Sequence, residues 1–374
     1  MNILLLTSFG EVMSYVGYIA LAVLVLLVMI TVHELGHYIS GKLLGFGIEE
    51  FAIGFGPKLF SKKKKDGEVF SVRFLPIGGF CAFKGEDKDS DDPTAFNNRK
   101  PWQRIIVLIS GALMNYLLAL LIIIIMFGSY GQTALMAYKI EDVTPNVAVE
   151  NSFYERDVII KADGKNVYLT TDLMDAVKDK KEGDLVPFTV RRAGENIDVM
   201  IKLRSDTDFK NVEDNVTLLK ALGIKYQTDE QGNLIASGLA MTGLRMGFFK
   251  TIAFSFEYSI KLAVSIFVVL GQLITGAIGL GSIGGTVTTI SVTATAIKLG
   301  GIRNLLNIAS FIGVNLAVFN LLPIPALDGC RVLFTAIEGI RKKPISRRVE
   351  GLIHTIGFVL ILMFAVFIDL QQCF

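Results

Sequence analysis

Three ionisable residues, His33, Glu34 and His37, follow an apolar run at residues 25–32 and lie within about one helical turn. On a helix, residues i and i+4 share a face, so two imidazoles can bind one metal ion while Glu34 reaches the water beside it. This HExxH pattern is typical of zinc sites in which a carboxylate takes a proton as water attacks a carbonyl. The alternative is a coincidental triplet on a helix surface. It is disfavoured because ionisable groups near hydrocarbon are costly unless each has a partner.

A catalytic zinc site usually has a third protein ligand and an open position. His354 is one candidate among the three histidines, although a lone helix histidine is more often simply tolerated. Asp328 is the better candidate, because Pro323 and Pro325 break the helix before it and an unpaired carboxylate at membrane depth is costly. Asn320 could hydrogen-bond substrate or a developing oxyanion, or could instead serve helix packing.

The composition predicts an integral membrane protein. Hydrophobic residues make up 52% of the 374 residues, charged residues make up 19%, and the mean hydropathy is +0.52. The formal charge is +2 and no basic block is interleaved with aromatics, so nucleic acid is not an expected partner. The three cysteines are far apart and are expected to be free thiols, and no removable signal peptide is expected at the N-terminus.

Four apolar segments approach the roughly 20 residues that cross a bilayer core, and they predict four transmembrane helices. They are residues 15–32 continuing into HELGH, 105–128, 305–327 and 351–368. Basic residues concentrate at 58–104 and 341–348, which predicts that both loops are cytoplasmic. With four crossings in this orientation, Asp328 lies on the cytoplasmic side together with HELGH.

The segment between the second and third spans has a different character. Residues 133–246 combine mixed charge, alternating patterns and turn signals, and they predict a β-rich domain outside the membrane with a helix near 171–180.

Residues 250–276 could form a fifth span, but one more crossing would move the basic 341–348 loop outside. Glu257 and Lys261 lie four residues apart, so we expect an interfacial amphipathic helix. Residues 276–289 predict a flexible stretch that gates substrate entry, or only a loose loop.

Four motifs together resemble the site-2 protease family, of the M50 peptidase type: HELGH, GFGP at 54–57, PIGGF at 76–80 and NLLPIPALDG at 320–329. The chain more closely resembles the bacterial intramembrane zinc metalloproteases that regulate sigma factors and carry one PDZ domain. The resemblance implies that Zn²⁺ is bound by His33, His37 and Asp328. It also implies that Glu34 is the catalytic base and that Asn320 lies beside the site.

The implied fold is a polytopic α-helical membrane protein with four transmembrane helices, a membrane-associated β element and an inserted extracytoplasmic PDZ-like α/β domain. We expect a first membrane core at residues 1–128, the PDZ-like domain at 133–246, the interfacial helix and gating loop at 247–300, and a second membrane core at 301–374. The segment TPNVAVENSFYERDVI departs from the Gly-Ser-Pro-Ala and Gly-Asp pattern of the family's PDZ domains. The domain is therefore called PDZ-like, without an implied ligand.

The stretch EVFSVRFLPIGGF at 68–80 corresponds to the implied β element. Val69 and Ser71 alternate along a strand that could pair with an unwound substrate and replace its lost helical hydrogen bonds. Gly78 and Gly79 of the following turn are expected to bind substrate too. A plain cytoplasmic hairpin is the alternative.

The implied function is hydrolysis of peptide bonds in transmembrane segments of single-span proteins, anti-sigma factors or signal-peptide remnants, in the bacterial inner membrane. The lipid bilayer is the second expected partner, and no oligomeric state is predicted. One alternative is a membrane scaffold that binds partners through the PDZ-like domain, which leaves Glu34 without a role. Another is a metal transporter with His33, His37 and Asp328 as a transit site, which leaves the base unexplained.

Overall fold

The computed structural model describes residues 9–86, 90–137, 152–204, 215–228, 234–276, 286–343 and 345–371. The chain divides into two compact units, one of Met1–Met126 with Ser255–Phe374 and one of Phe127–Phe254. The described α-helices are α1 Phe9–Leu43, α2 Pro101–Tyr130, α3 Thr170–Val177, α4 Asn215–Ala221, α5 Phe248–Ile274, α6 Thr286–Leu321, α7 Asp328–Arg341 and α8 Arg347–Gln371. A short 3₁₀ helix, Phe96–Asn98, precedes α2.

Five of the described helices are long and apolar enough to cross a bilayer. The qualifying stretches are Met13–Leu43, Pro101–Tyr130, Phe248–Ile274, Gly300–Leu321 and Arg348–Leu370. The prediction of a polytopic membrane protein is therefore confirmed. The predicted interfacial segment forms α5, which meets the length and apolarity criteria as well. The count of four crossings stays a prediction.

Both ends of α6 differ from the sequence-based expectation. The predicted span at 305–327 ends at Leu321, because Pro323 and Pro325 lack the N–H groups that a continuing helix needs. At its other end α6 already begins at Thr286, so the flexible stretch predicted for 286–289 is wrong. Residues 277–285 of that stretch lie outside the described residues. The break falls instead at Gly301, whose φ of 56° and ψ of −142° interrupt the helix.

The relative directions of α1, α2 and α6 follow from their contacts. Met29 of α1 packs against Ile312 of α6 and Leu118 of α2. Four residues further along α1, His33 lies beside Asn115 of α2 and Asp328, which follows α6. Moving along α1 therefore means moving backward along α2 and forward along α6. Helices α1 and α6 run parallel, and α2 runs antiparallel to both.

Strands β1 Ile48–Lys63 and β2 Val69–Phe83 form a sheet of four short segments. Residues 48–53 pair with 69–72 on one side and with 79–83 on the other. Residues 69–73 pair on their far side with 58–63. The segment order is therefore 58–63, 69–73, 48–53, 79–83, and the β element is more elaborate than the single strand predicted from the alternating pattern.

The second unit contains an antiparallel sheet of β3 Gln132–Ala137, β4 Val158–Ala162, β5 Lys165–Asn166, β6 Leu185–Arg192, β7 Glu195–Lys202 and β10 Leu239–Leu244. Strands β8 Tyr226–Thr228 and β9 Leu234–Ser237 pair separately. Helices α3 and α4 supply Leu173, Leu218 and Leu219 to the core beneath the sheet. The predicted helix near 171–180 is confirmed. Assignment of the unit as PDZ-like stays a prediction.

Candidate metal centre

Helix α1 brings two histidines together at the end of its apolar run. His33 and His37 lie one turn apart and both are buried, at 8% and 7% exposure. Their Nε2 atoms are 3.1 Å apart and their rings meet edge to face. Two buried imidazoles that point at one another in this way need a shared ligand or a proton between them.

Asp328 reaches the same point from the opposite end of the sequence. Its Oδ2 lies 2.9 Å from His33 Nε2 and 3.3 Å from His37 Nε2. The turn between α6 and α7 delivers this carboxylate, and Ala326 within the turn has a positive φ of 77°. The N–H of Ala326 donates to Nδ1 of His354 on α8 at 3.0 Å, which supports a backbone conformation that alanine disfavours. His354 therefore supports the turn and lies outside the ligand cluster.

The three ligand atoms fit a zinc ion. Their mutual distances are 2.9, 3.1 and 3.3 Å. Tetrahedral zinc with ligands at about 2.0–2.1 Å has neighbouring ligand atoms about 3.3 Å apart. His33, His37 and Asp328 are also the only such cluster of potential metal-binding side chains in the described part of the chain. Two imidazoles and one carboxylate leave a fourth position open, as in catalytic zinc sites.

Neighbouring groups on α2 orient both imidazoles. Nδ1 of His37 lies 2.8 Å from the carbonyl of Val107, which can only accept, so Nδ1 carries the proton and Nε2 is free for a metal. Nδ1 of His33 lies 3.4 Å from Nδ2 of the fully buried Asn115, while the amide oxygen of Asn115 has no partner. Rotating that amide by 180° lets its oxygen accept the Nδ1 proton of His33. Asn115 then has the same role for His33 that Val107 has for His37.

Close approach of α2 to the histidines depends on Gly111. A Cβ added at this position would lie 2.5 Å from Nε2 of His37 and 2.8 Å from Cε1 of His33. Any larger residue would therefore displace the two imidazoles that the site needs.

Glu34 is half-buried and turns toward the β element. A Cβ added at Gly79 of β2 would lie 3.5 Å from Cγ of Glu34, so the side chain of Glu34 lies close to this strand. A cavity of about 360 Å³ lies here, lined by the three candidate ligands and Glu34 and by residues 80–83 of β2. The arrangement thus provides a metal-binding cluster, a carboxylate beside it and space for a reactant.

Comparison with known proteins identifies the family of this chain. The model of peptidase family M50 matches residues 21–364. A Clostridium perfringens protein named as a candidate zinc metalloprotease is 36% identical over 359 residues, which cover 95% of this chain and 98% of that protein. The chain belongs to peptidase family M50.

Two further M50 relatives carry more specific names. The zinc metalloprotease RasP of Bacillus licheniformis is 29% identical over 432 residues, covering 91% of this chain and 96% of RasP. The regulator of sigma-W protease RasP of Bacillus subtilis is 29% identical over 427 residues, covering 91% and 95%. This M50 peptidase is thus a metalloprotease that uses zinc, and it is a multi-pass membrane protein.

The expectation that Val69 and Ser71 of the M50 chain lie on an open strand edge is wrong. Both lie in a segment with strand partners on either side, and the fully buried Ser71 donates its hydroxyl to Glu50 at 2.6 Å. Alternation along a sequence reveals a strand but not its neighbours, so the error could not be avoided. The segment beside the cavity is instead 79–83, which has one strand partner among the described residues.

The other predicted substrate residues have mixed outcomes. Gly79 begins the segment beside the cavity, and a Cβ added there would lie 3.5 Å from Cγ of Glu34. Gly78 has a φ of 107° and packs against the Phe55 ring, which is a backbone role. Asn320 is half-buried near the end of α6, and among the described residues it neither lines the cavity nor forms a recorded hydrogen bond. Its role beside the site stays a prediction.

Proposed function

We propose that this M50 metalloprotease hydrolyses peptide bonds within or next to the transmembrane segment of single-span proteins, with anti-sigma factors and signal-peptide remnants as substrate classes. One observation carries the proposal: two of the three candidate ligands, His33 and His37, belong with Glu34 to a helix that is itself apolar and of membrane-spanning length. A protease for water-soluble substrates has no need to hold its reactive groups on such a helix.

Each group at the site has a role in this reaction. Zinc bound by His33, His37 and Asp328 supplies Lewis acidity and makes water a nucleophile near neutral pH. Glu34 lies beside the ligands in the cavity, where a carboxylate can take the proton of the attacking water and pass it to the leaving amine. Residues 80–83 of β2 line the same cavity and lie beside this carboxylate.

The substrate has to unwind before its carbonyls can react, because a transmembrane helix uses them in internal hydrogen bonds. We assign the pairing surface to residues 79–83 of β2. This segment pairs with residues 48–53 on one side and has no strand partner on its other side among the described residues, and in such a strand alternate residues turn their backbone groups away from the sheet. An extended substrate beside them gains hydrogen bonds that replace those lost on unwinding.

Photo-crosslinking tests this pairing surface. A benzoylphenylalanine at Phe80 lies on the cavity side of the sheet, and the same group at Phe60 lies in the opposite outer segment. In a Glu34→Gln background, which retains the ligands, we expect a single-span substrate to crosslink to position 80 and not to position 60. Equal crosslinking at the two positions, or stronger crosslinking at position 60, would contradict the assignment of the pairing surface to residues 79–83.

We further propose that the site faces the cytoplasm of a bacterial inner membrane and that the unit Phe127–Phe254 is an extracytoplasmic PDZ-like domain. The basic segments at 58–65 and 341–348 support this orientation. The unit's antiparallel sheet with two short helices is compatible with a PDZ-like domain.

A zinc-uptake experiment separates the protease from the transporter alternative. Uptake of Zn²⁺ into sealed vesicles, with no proteolysis, would favour the transporter.

A further inference from the structure

The β element and α7 are joined by one ion pair next to the candidate site. Glu86 lies just after β2, and its Oε2 accepts the backbone N–H of Phe83 at 3.2 Å. Its other oxygen, Oε1, pairs with the guanidinium of Arg331 on α7. One carboxylate therefore connects the end of a strand to a helix, and both partners line the cavity at the site.

One of the two connected elements carries the third candidate ligand, and the other lies beside Glu34. Arg331 follows Asp328 by three residues on α7, so both side chains lie on the same helix face. Phe83 follows Cys81 by two residues, so their N–H groups leave the same side of the strand. Cys81 lines the cavity together with Glu34, and the N–H of Phe83 donates to Glu86. The pair thus links the third ligand to the strand segment that lies beside the base.

Helix α7 is held at a second point, away from the site. Arg104 of α2 pairs with Glu338 at 2.9 Å. Glu338 lies two turns beyond Arg331 on the same face of α7. Thr335 between them is also buried. The helix therefore turns a polar stripe inward, and Arg331 is the end of that stripe that forms the ion pair with Glu86.

We propose that Glu86 and Arg331 are a positioning pair that aligns Asp328 and Glu34 across the candidate metal site. Neither side chain belongs to the ligand cluster, and His33 and His37 are fixed separately by α1 and α2. The pair sets where α7 and strand segment 79–83 lie relative to those fixed imidazoles. Small displacements of reacting groups have large effects on rate, so loss of the pair lowers turnover more than substrate binding.

The inference rests on the proposed function, so its test includes a readout that does not require proteolysis. The full-length protein is loaded with Co²⁺ in detergent, and the visible absorption band and metal affinity are measured for Arg331→Met, Arg331→Lys and Glu86→Gln. Glu338→Gln is the matched control, because it weakens the other ion pair on the same helix. In parallel, kcat and KM are measured with a single-span substrate.

We expect Arg331→Met and Glu86→Gln to shift the Co²⁺ band and to lower kcat about 10–100-fold, the range typical for groups that orient ligands, with KM changed less than about twofold. Arg331→Lys should recover part of the loss, and the Glu86→Gln/Arg331→Met double variant should lose no more than Arg331→Met alone. Glu338→Gln should retain the wild-type band and turnover. If Arg331→Met does not fold, the nearly isosteric Glu86→Gln decides.

An unshifted Co²⁺ band with wild-type kcat in Glu86→Gln would overturn the positioning role. Equal losses in Glu86→Gln and Glu338→Gln would overturn it too, because both ion pairs would then act only through stability. Absence of proteolysis in the wild-type protein would instead contradict the proposed function, and the Co²⁺ spectra would still test the pair.

Discussion

At the scale of single residues, the candidate site depends on groups of α2 that touch the imidazoles without belonging to the ligand cluster. Gly111 leaves space that both rings occupy, and the Val107 carbonyl and Asn115 fix their Nδ1 atoms. Orientation by such neighbours normally contributes as much to a metal site as the choice of ligands. Two predictions follow from these contacts.

Gly111→Ala should reduce zinc affinity by at least about tenfold, because the added methyl would overlap the imidazole of His37. The measurement is zinc content after dialysis against a competing chelator. Gly128→Ala, on the same helix, is the control, since a Cβ there meets nothing within 4 Å. Equal zinc retention in both variants would show that the approach of α2 does not constrain the site.

Asn115→Leu should weaken zinc binding about 10–100-fold, since Nδ1 of His33 loses its acceptor. Asn115→Asp retains an acceptor and should recover much of the affinity. Asn315→Leu is the control, because Asn315 lies outside the ligand cluster and, among the described residues, its side chain bonds the Phe311 carbonyl of its own helix. Wild-type affinity in Asn115→Leu would mean that His33 is oriented by other contacts.

The same residues show what the sequence could and could not predict. The spacing of His33, Glu34 and His37 reveals a shared helix face, and the prolines before Asp328 explain how a carboxylate can turn inward. Asn115 could not be assigned because its contact with His33 joins residues 82 positions apart. A polar residue in an apolar span was the only signal available, and it does not name a partner.

At the scale of elements, the sheet of β1 and β2 is held by a carboxylate that the alternating pattern did not reveal. Glu50 accepts hydrogen bonds from Ser71, Arg73 and Lys58, which belong to two different segments. Burial raises the pKa of Glu50, but these hydrogen bonds outweigh burial and hold its pKa below the ordinary value. The sheet is therefore linked to the ionisation of Glu50.

Because the pKa of Glu50 is lowered in the folded state, its stabilising contribution is complete above the ordinary glutamate pKa and is lost as pH falls through the lowered value. We expect hydrogen exchange at residues 69–73, corrected for intrinsic rates, to accelerate at acidic pH. Glu50→Gln should exchange faster already at pH 7 and show a flatter pH profile. Glu49→Gln, at an exposed neighbouring residue, should behave as wild type. A wild-type profile in Glu50→Gln would contradict the linkage.

At the scale of the whole molecule, the directions of the helices limit the number of membrane crossings. Helices α1 and α6 run parallel, while α2 runs antiparallel to both. The chain therefore begins α6 on the side of the membrane where α2 ends, and the segment between them crosses the membrane an even number of times or not at all. A single full crossing by α5 conflicts with this parity despite its length of 27 residues. Composition alone does not decide the matter, because an interfacial helix and a spanning helix can be equally apolar.

Cysteine labelling tests this topology. In a chain whose three native cysteines are replaced, a cysteine at Thr275 should be labelled from the same side as one at Lys161. A cysteine at Lys342 should be labelled from the opposite side, together with the basic loop. Labelling of positions 275 and 161 from opposite sides would show that α5 crosses the membrane.

The central claim is that a zinc site on a membrane-spanning helix cuts membrane-embedded substrates. Its most direct test compares wild type with Glu34→Gln in liposomes, measuring zinc content and cleavage of a panel of single-span proteins. We predict about one zinc per chain in both proteins and cleavage by the wild type alone, because three ligands remain when the base is lost. A wild-type protein without zinc, or a Glu34→Gln variant that cuts at the wild-type rate, would contradict the account.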